Sequence, residues 1–333
     1  LCHHNKVDSV HITGSDRTHD AIVWGPPAEQ ARRKANHDPV LKKPITSELG
    51  CVTPVLVVPG DWSDSDLDFQ ARHVAGMVGN NGSFNCNAAK VIVTASGWKQ
   101  REAFLSKLQA ALAAMPPRRA YYPGAMDRYQ AFLDHYPQAK PLIPAAAEVV
   151  PWTWIPNVQP KAGEYALTNE AFCGVLSEVT LQANDAAAFL KEGVRFANED
   201  CWGSLSCCML VHPKTEKQLP KEVDQAIASL RFGGIGVNVW PGVIFGSCSL
   251  TWGAYPGHPL EDIRSGVGTV HNTMLIDEPH HCVLRAPFRI APTPLWAAGH
   301  KNLTPLTKAL VEFEHDAGLW KLVTGVLPQA FRG

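Results

Sequence analysis

Hydrophobic and polar positions follow two different periods along this chain. Short apolar runs at Val7–Ile12, Val55–Val58, Lys90–Thr94 and Met209–Val211 have the length and character of buried strands. Elsewhere the apolar residues recur at helical spacing. Leu67, Ala71, Val74, Met77 and Val78 predict a helix over Asp64–Gly79, with Asp61 and Ser63 as candidate caps. Phe104, Leu105, Leu108 and Leu112 predict another over Arg101–Met115, stopped by Pro116-Pro117. Further helices are expected at Asp16–Ala21, Met126–His135, Asp185–Asn198 and Lys221–Leu230. One more is expected at Pro305–Glu314, with Thr304 as its cap and Pro305 in the first helical position. Strands alternating with helices in this way predict an α/β fold with a Rossmann-like sheet. Pro26-Pro27 and Arg32-Arg33-Lys34 mark an exposed insertion between Trp24 and Lys43, and the Pro-, Tyr- and Ala-rich residues 116–165 read as an insertion or expanded loop set.

Composition narrows the function classes. At 333 residues the chain can hold two domains, and 45% hydrophobic with 18% charged residues describes an ordinary globular protein. A net charge of −1 gives no electrostatic case for nucleic acid or an anionic membrane as partner. No apolar run reaches the roughly 18 residues a spanning helix needs, and the polar start His3, His4, Asn5, Lys6 is no secretory signal. Nine cysteines, an odd number in a chain this large, fit reduced thiols in the cytoplasm better than a disulfide framework. Cys201, Cys207 and Cys208 lack the paired spacing of a zinc site, and the side chains of His280-His281-Cys282 diverge on extended backbone, so no metal site is expected.

The candidate chemistry centres on one cysteine. Asn80-Asn81-Gly82-Ser83-Phe84-Asn85-Cys86-Asn87-Ala88-Ala89-Lys90 sets Cys86 in a loop of small and amide residues between apolar stretches. Such a loop leaves backbone N–H groups free to surround a sulfur, which suits a thiolate that attacks a carbonyl and the oxyanion that results. Upstream, Glu48 stands in Thr46-Ser47-Glu48-Leu49-Gly50, where a carboxylate can serve as general base for a water. Read alone, Cys86 could equally be a buried small hydrophobe and Glu48 a capping or salt-bridged carboxylate.

Together these segments resemble the paired active-site signatures of the aldehyde dehydrogenase superfamily. Other similarities fall in the family's order: Val10-His11-Ile12-Thr13-Gly14-Ser15, Asn169-Glu170-Ala171-Phe172 with Val175-Leu176, Gly236-Val237-Asn238, and Trp252-Gly253-Ala254-Tyr255-Pro256-Gly257. The resemblance runs from about residue 7 to about 290. It implies the end of a dinucleotide-binding domain in residues 1–50, a catalytic domain of aldehyde dehydrogenase type in 51–290, and a C-terminal segment, 291–333, packing on the cofactor domain or an oligomer interface. It implies that the chain is the C-terminal part of a longer enzyme, whose N-terminal cofactor-binding part would be its partner, and that the enzyme is a homo-oligomer. The activity implied is NAD- or NADP-dependent oxidation of a small-molecule aldehyde to a carboxylic acid. Cys86 would form a thiohemiacetal and then a thioester, and Glu48 would activate the hydrolytic water. Gly14, Ser15, Glu48, Leu49, Gly50, Glu170 and Phe172 would lie against the cofactor, with Glu170 on a ribose and Phe172 on the nicotinamide. Asn85 and Trp252 would line the substrate pocket, and residues 116–165 would shape its entrance. Cys173-Gly174 departs from the family's Gly-Pro, and Cys51 replaces its second Gly. Two other readings use the same residues: a cofactor-free cysteine hydrolase or esterase built on Cys86 and Glu48, and a non-catalytic subunit that keeps the fold.

Overall fold

The computed structural model describes residues 1–333. Its strands are β1 (Val10–Thr13), β2 (Ile45–Glu48), β3 (Pro54–Val57), β4 (Val91–Ala95), β5 (Lys140–Pro141), β6 (Thr153–Val158), β7 (Val175–Leu181), β8 (Ser206–Leu210), β9 (Gly234–Val237), β10 (Trp252–Gly253), β11 (Thr269–His271) and β12 (Cys282–Arg285). Eight of them form one sheet in the order β12-β9-β8-β3-β4-β7-β6-β5. Every pairing in it is parallel except that of the short edge strand β5. β3, β4 and β8 are buried at every position, as expected of a parallel sheet covered by helices on both faces.

The helices carry the expected amphipathic faces. Asp64–Gly79 begins with a capping box in which Ser63 accepts from the Asp66 N–H and the Asp66 side chain accepts from the Ser63 N–H. It buries Leu67, Ala71, Val74, Met77 and Val78, and Arg101–Ala113 buries Phe104, Leu105, Leu108 and Leu112. Ala186–Glu199 and Pro220–Ser229 likewise turn apolar faces to the core. The first strand is shorter and more exposed than its sequence suggests: of Val10–Thr13 only Ile12 is buried. The segment between Trp24 and Lys43 holds its own helix, Pro27–Ala35. The helix near the C-terminus spans Leu303–His315 with Asn302 at its N-cap, so Thr304 lies inside the helix rather than capping it. Cys282 begins β12. No helix is long and apolar enough to cross a membrane.

A second, two-stranded parallel sheet positions the site. β1 and β2 pair with Thr13 opposite Glu48, joined by the helices Asp16–Val23 and Pro27–Ala35. The carboxyl ends of this pair, Thr13-Gly14-Ser15 and Glu48-Leu49-Gly50, meet the amino ends of β3, β4, β7 and β8. Residues 48–53, 86–90, 170–174 and 201–205 immediately precede those four parallel strands, so one edge of the large sheet gathers them all.

Candidate active site

Glu48 ends β2 and is 2% exposed. A carboxylate so buried needs donors, and three side chains supply them. The Trp252 indole N–H donates to Oε1 at 2.7 Å, the Cys86 thiol faces the same oxygen at 3.8 Å, and Thr13 Oγ1 donates to Oε2 at 3.4 Å. Trp252 is brought there by β10, which pairs with β11. The strap leading into β11 runs along β2: Ser47 N–H donates to Val267 O, Leu49 N–H to Ser265 O, and Ser265 Oγ to Gly50 O. The indole lies over Gly234, where a Cβ would stand 2.4 Å from its ring. Trp252 therefore has no exposed surface and does not line a substrate pocket; it fixes the Glu48 carboxylate.

Cys86 is half-buried in its loop. The loop turns sharply after the helix Asp64–Gly79, with Asn81, Gly82 and Ser83 all at positive φ, and Thr53 Oγ1 pins it by donating to the Cys86 carbonyl at 3.0 Å. The Cys86 N–H has no acceptor within the protein. Asn85 turns back to the loop, its amide donating to Asn80 O at 2.9 Å while its Oδ1 is buried without a partner. Asn85 thus braces the loop.

Lys90 lies beneath the loop, 2% exposed. Its ammonium donates to the carbonyls of Ala88 at 2.9 Å, Asn85 at 3.3 Å and Cys86 at 3.4 Å, and pairs with Glu170 Oε1 at 3.1 Å. The same Glu170 oxygen accepts the Cys51 N–H at 3.3 Å. Burial, and then the carboxylates of Glu48 and Glu170, hold the Cys86 thiol well above the ordinary thiol range; Lys90 pulls it the other way. Burial also raises Glu170, opposed by Lys90. Nothing in the sequence pattern marked Lys90. The available signal is a lone cation four residues after the cysteine, at the mouth of a buried strand.

The expected cofactor residues divide into two groups. Glu170 lies across Gly50, where a Cβ would stand 2.0 Å from Glu170 Oε2. That oxygen has no partner in the protein, so the residue is free to accept from a ligand hydroxyl, and a Cβ at Gly14 would meet only the Ile12 side chain within 4 Å. Ser15 instead uses its side chain to cap the helix Asp16–Val23. Glu170 and Gly14 therefore leave room for a ligand, whereas Gly50 is covered by Glu170. Phe172 fits less well. Its ring packs edge-on against Tyr122 at 4.8 Å, near Phe84 at 6.3 Å and under the Arg128 guanidinium at 5.7 Å, so protein contacts already take the ring expected for the nicotinamide. Tyr122 and Arg128 come from residues 116–165, which thereby form an aromatic wall beside the cysteine loop. Cys51 is buried, its thiol directed to Ser206 O at 3.7 Å. No cluster of His, Cys, Asp or Glu has the arrangement of a metal site. A depression of about 360 Å³ lies along β6 and β7 among Arg101, Lys140, Trp154 and Glu178, and neither Cys86 nor Glu48 lines it.

The chain is an α/β protein in which a cysteine at the amino edge of the large parallel sheet faces a carboxylate at the carboxyl end of the small one. No family model matches the chain, and no curated protein matches it in sequence. Solved structures do. The NAD-dependent aldehyde dehydrogenase of Sinorhizobium meliloti is similar at a TM-score of 0.59 and 19% identity, over 81% of this chain and 48% of its own. The aldehyde dehydrogenase KauB of Pseudomonas aeruginosa gives 0.59 and 18%, over 82% and 50%. The NADP-dependent glyceraldehyde-3-phosphate dehydrogenase of Bacillus halodurans, complexed with NADP, gives 0.57 and 15%, over 81% and 50%. The chain has the fold of the aldehyde dehydrogenase catalytic domain, and it spans about half the length of the structures it matches.

Proposed function

We propose that the chain carries the catalytic machinery of an NAD- or NADP-dependent enzyme that oxidises an aldehyde to a carboxylic acid. The observation that carries this reading is the contact of Cys86 Sγ with Glu48 Oε1 at 3.8 Å, at the junction of the two sheets in an aldehyde dehydrogenase fold. The Cys86 thiol gives its proton to Glu48, and the thiolate attacks the aldehyde carbon. The unengaged Cys86 N–H is a donor for the oxyanion. Glu48, held by Trp252 and Thr13, then releases that proton to solvent and, as a carboxylate again, would take a proton from the water that hydrolyses the thioester. A nicotinamide, when bound, supplies the hydride acceptor. Glu170 Oε2 and the backbone at Gly14 are the groups that would hold such a cofactor.

The test is NAD(P)H production by the full-length protein over a panel of aldehydes, with Cys86→Ala alongside. Turnover that is lost in Cys86→Ala supports the reading. A folded protein that reduces neither nucleotide, yet hydrolyses a thiol-reactive ester through Cys86, would replace it with a cofactor-free hydrolase.

A further inference from the structure

We propose that Lys90 is a positioning residue of this site, fixing the cysteine loop through the carbonyls of Asn85, Cys86 and Ala88 and acting as the counter-ion for which Glu170 and the Cys86 thiolate compete. The inference rests on the reading of Cys86 as a nucleophile. Its observations are the burial of Lys90, its three carbonyl acceptors, and its 3.1 Å pair with Glu170.

A lysine with almost no exposure is costly to keep charged unless its protons are satisfied and its charge is offset. Ala88, Asn85 and Cys86 answer the first need with backbone oxygens, which also tie both sides of the nucleophile to one atom. Glu170 answers the second with a full charge. The titratable groups facing Cys86 come from four segments: Glu48 at the end of β2, Cys51 before β3, Lys90 before β4 and Glu170 before β7. Two are carboxylates, one is a thiol, and Lys90 alone is a cation. A thiolate formed here meets like charge from Glu48 and Glu170, and Lys90 is the one group among these that favours it. Glu170 draws on that same ammonium through Oε1. Removing the charge of Lys90 and removing the charge of Glu170 must therefore act on the thiol in opposite directions. A brace without an electrostatic role predicts something else, because either change would loosen the same loop.

The experiment is alkylation of Cys86 by iodoacetamide in the folded chain, followed by peptide mass spectrometry that separates Cys86 from the other cysteines. Rates are measured from about pH 7 to about pH 10, where the thiolate fraction sets the rate. One unit in thiol pKa is about tenfold in that fraction. Lys90→Met is expected to slow Cys86 alkylation by about tenfold or more at fixed pH, and Glu170→Gln to speed it by about tenfold. The double variant returns toward the wild-type rate, and Lys90→Arg stays within about threefold of it. An unchanged rate in Lys90→Met overturns the proposal. So do single variants that shift the rate in the same direction, or a double variant that keeps the whole loss. Should Lys90→Met fail to fold, the near-isosteric Glu170→Gln decides alone, and the absence of a rise overturns the proposal. Alkylation needs neither aldehyde nor nucleotide. A protein with this charge dependence but no dehydrogenase activity would refute the proposed reaction and leave the role of Lys90 standing; the reverse result would do the opposite.

Discussion

Trp252→Phe tests whether the buried indole is there to hold Glu48. The substitution keeps an aromatic ring over Gly234 and beside Phe245, whose ring centroid is 5.8 Å away, but deletes the N–H that reaches Glu48 Oε1 at 2.7 Å. Glu48 then keeps only the long contacts from Thr13 and Cys86, at 3.4 and 3.8 Å. A hydrogen bond to a charged group contributes about 1.5–3 kcal/mol, and a stranded buried acceptor loses most of that. The smaller ring adds about 1 kcal/mol for the space it leaves. The total expected loss of folding stability is about 2–4 kcal/mol. A double-mutant cycle with Glu48→Met, read from urea midpoints, separates the two parts, since the space term is common to both backgrounds. The coupling energy should be about 1.5–3 kcal/mol. A coupling below about 0.5 kcal/mol would mean that Trp252 is ordinary core and that its bond to Glu48 is incidental.

Three further outcomes follow from the packing and the charges. Burial lowers His73 from 6.5 to about 4, so it stays neutral in the folded chain while the unfolded chain takes up a proton. Stability present above about pH 6.5 is therefore lost as pH falls toward about 4, by about 3 kcal/mol in all, and the loss should shrink by that amount in His73→Phe; parallel stability–pH curves for the two proteins would contradict it. A Cβ at Gly76 would stand 1.9 Å from the Trp296 carbonyl oxygen. Gly76→Ala should cost about 1–3 kcal/mol and speed hydrogen exchange at Ala298, whose N–H bonds to Arg72 O at 3.2 Å; unchanged exchange there would show that the contact gives way freely. Arg101 pairs with Glu178, which is 2% exposed. Arg101→Met should cost about 3–5 kcal/mol by leaving that carboxylate without its cation, and a thermal shift equivalent to less than about 1 kcal/mol would refute the pairing as a stabilising one.

The helices were legible wherever the chain announces both ends. Asp64–Gly79 has an apolar face at helical spacing and a serine whose box with Asp66 closes the first turn, and both are local properties. The helix at Leu303–His315 was misread by its proline. Pro305 is accommodated inside the first turn because the N–H groups there have no intrahelical acceptor, so its position does not fix the start. The proximity of Cys86 and Glu48 followed from family resemblance, since the residues lie 38 apart and share no periodic element. Trp252 was recognised as part of a motif but given the wrong neighbour. Its contact with Glu48 spans 204 residues and depends on the strap at Ser265–Gly268 lying along β2, which no local pattern encodes. Lys90 was overlooked for a related reason: a lysine beside a polar loop reads as solvated, and only the tertiary arrangement encloses it.

The placement of the site at the amino edge of the large sheet has a physical consequence. Ligands of open parallel sheets usually bind outside the carboxyl ends of the strands, and here that geometry belongs to the small β1–β2 pair, whose carboxyl ends carry Gly14, Glu48 and Gly50. The large sheet contributes the loops that enter β3, β4, β7 and β8, and with them Cys51, Cys86, Lys90 and Glu170. Cys86 and the Glu48 carboxylate that faces it thus come from opposite sides of a seam. Releasing the Cys86 proton to solvent would place a third negative charge beside Glu48 and Glu170, against one cation. Passing it across the seam to Glu48 leaves two negative charges and the same cation, so in the proposed reaction the route through Glu48 removes that carboxylate's repulsion, which adds to burial in raising the thiol. Burial and the two carboxylates oppose loss of the Cys86 proton to solvent, and on this argument its contact with Glu48 is the favourable path for that proton.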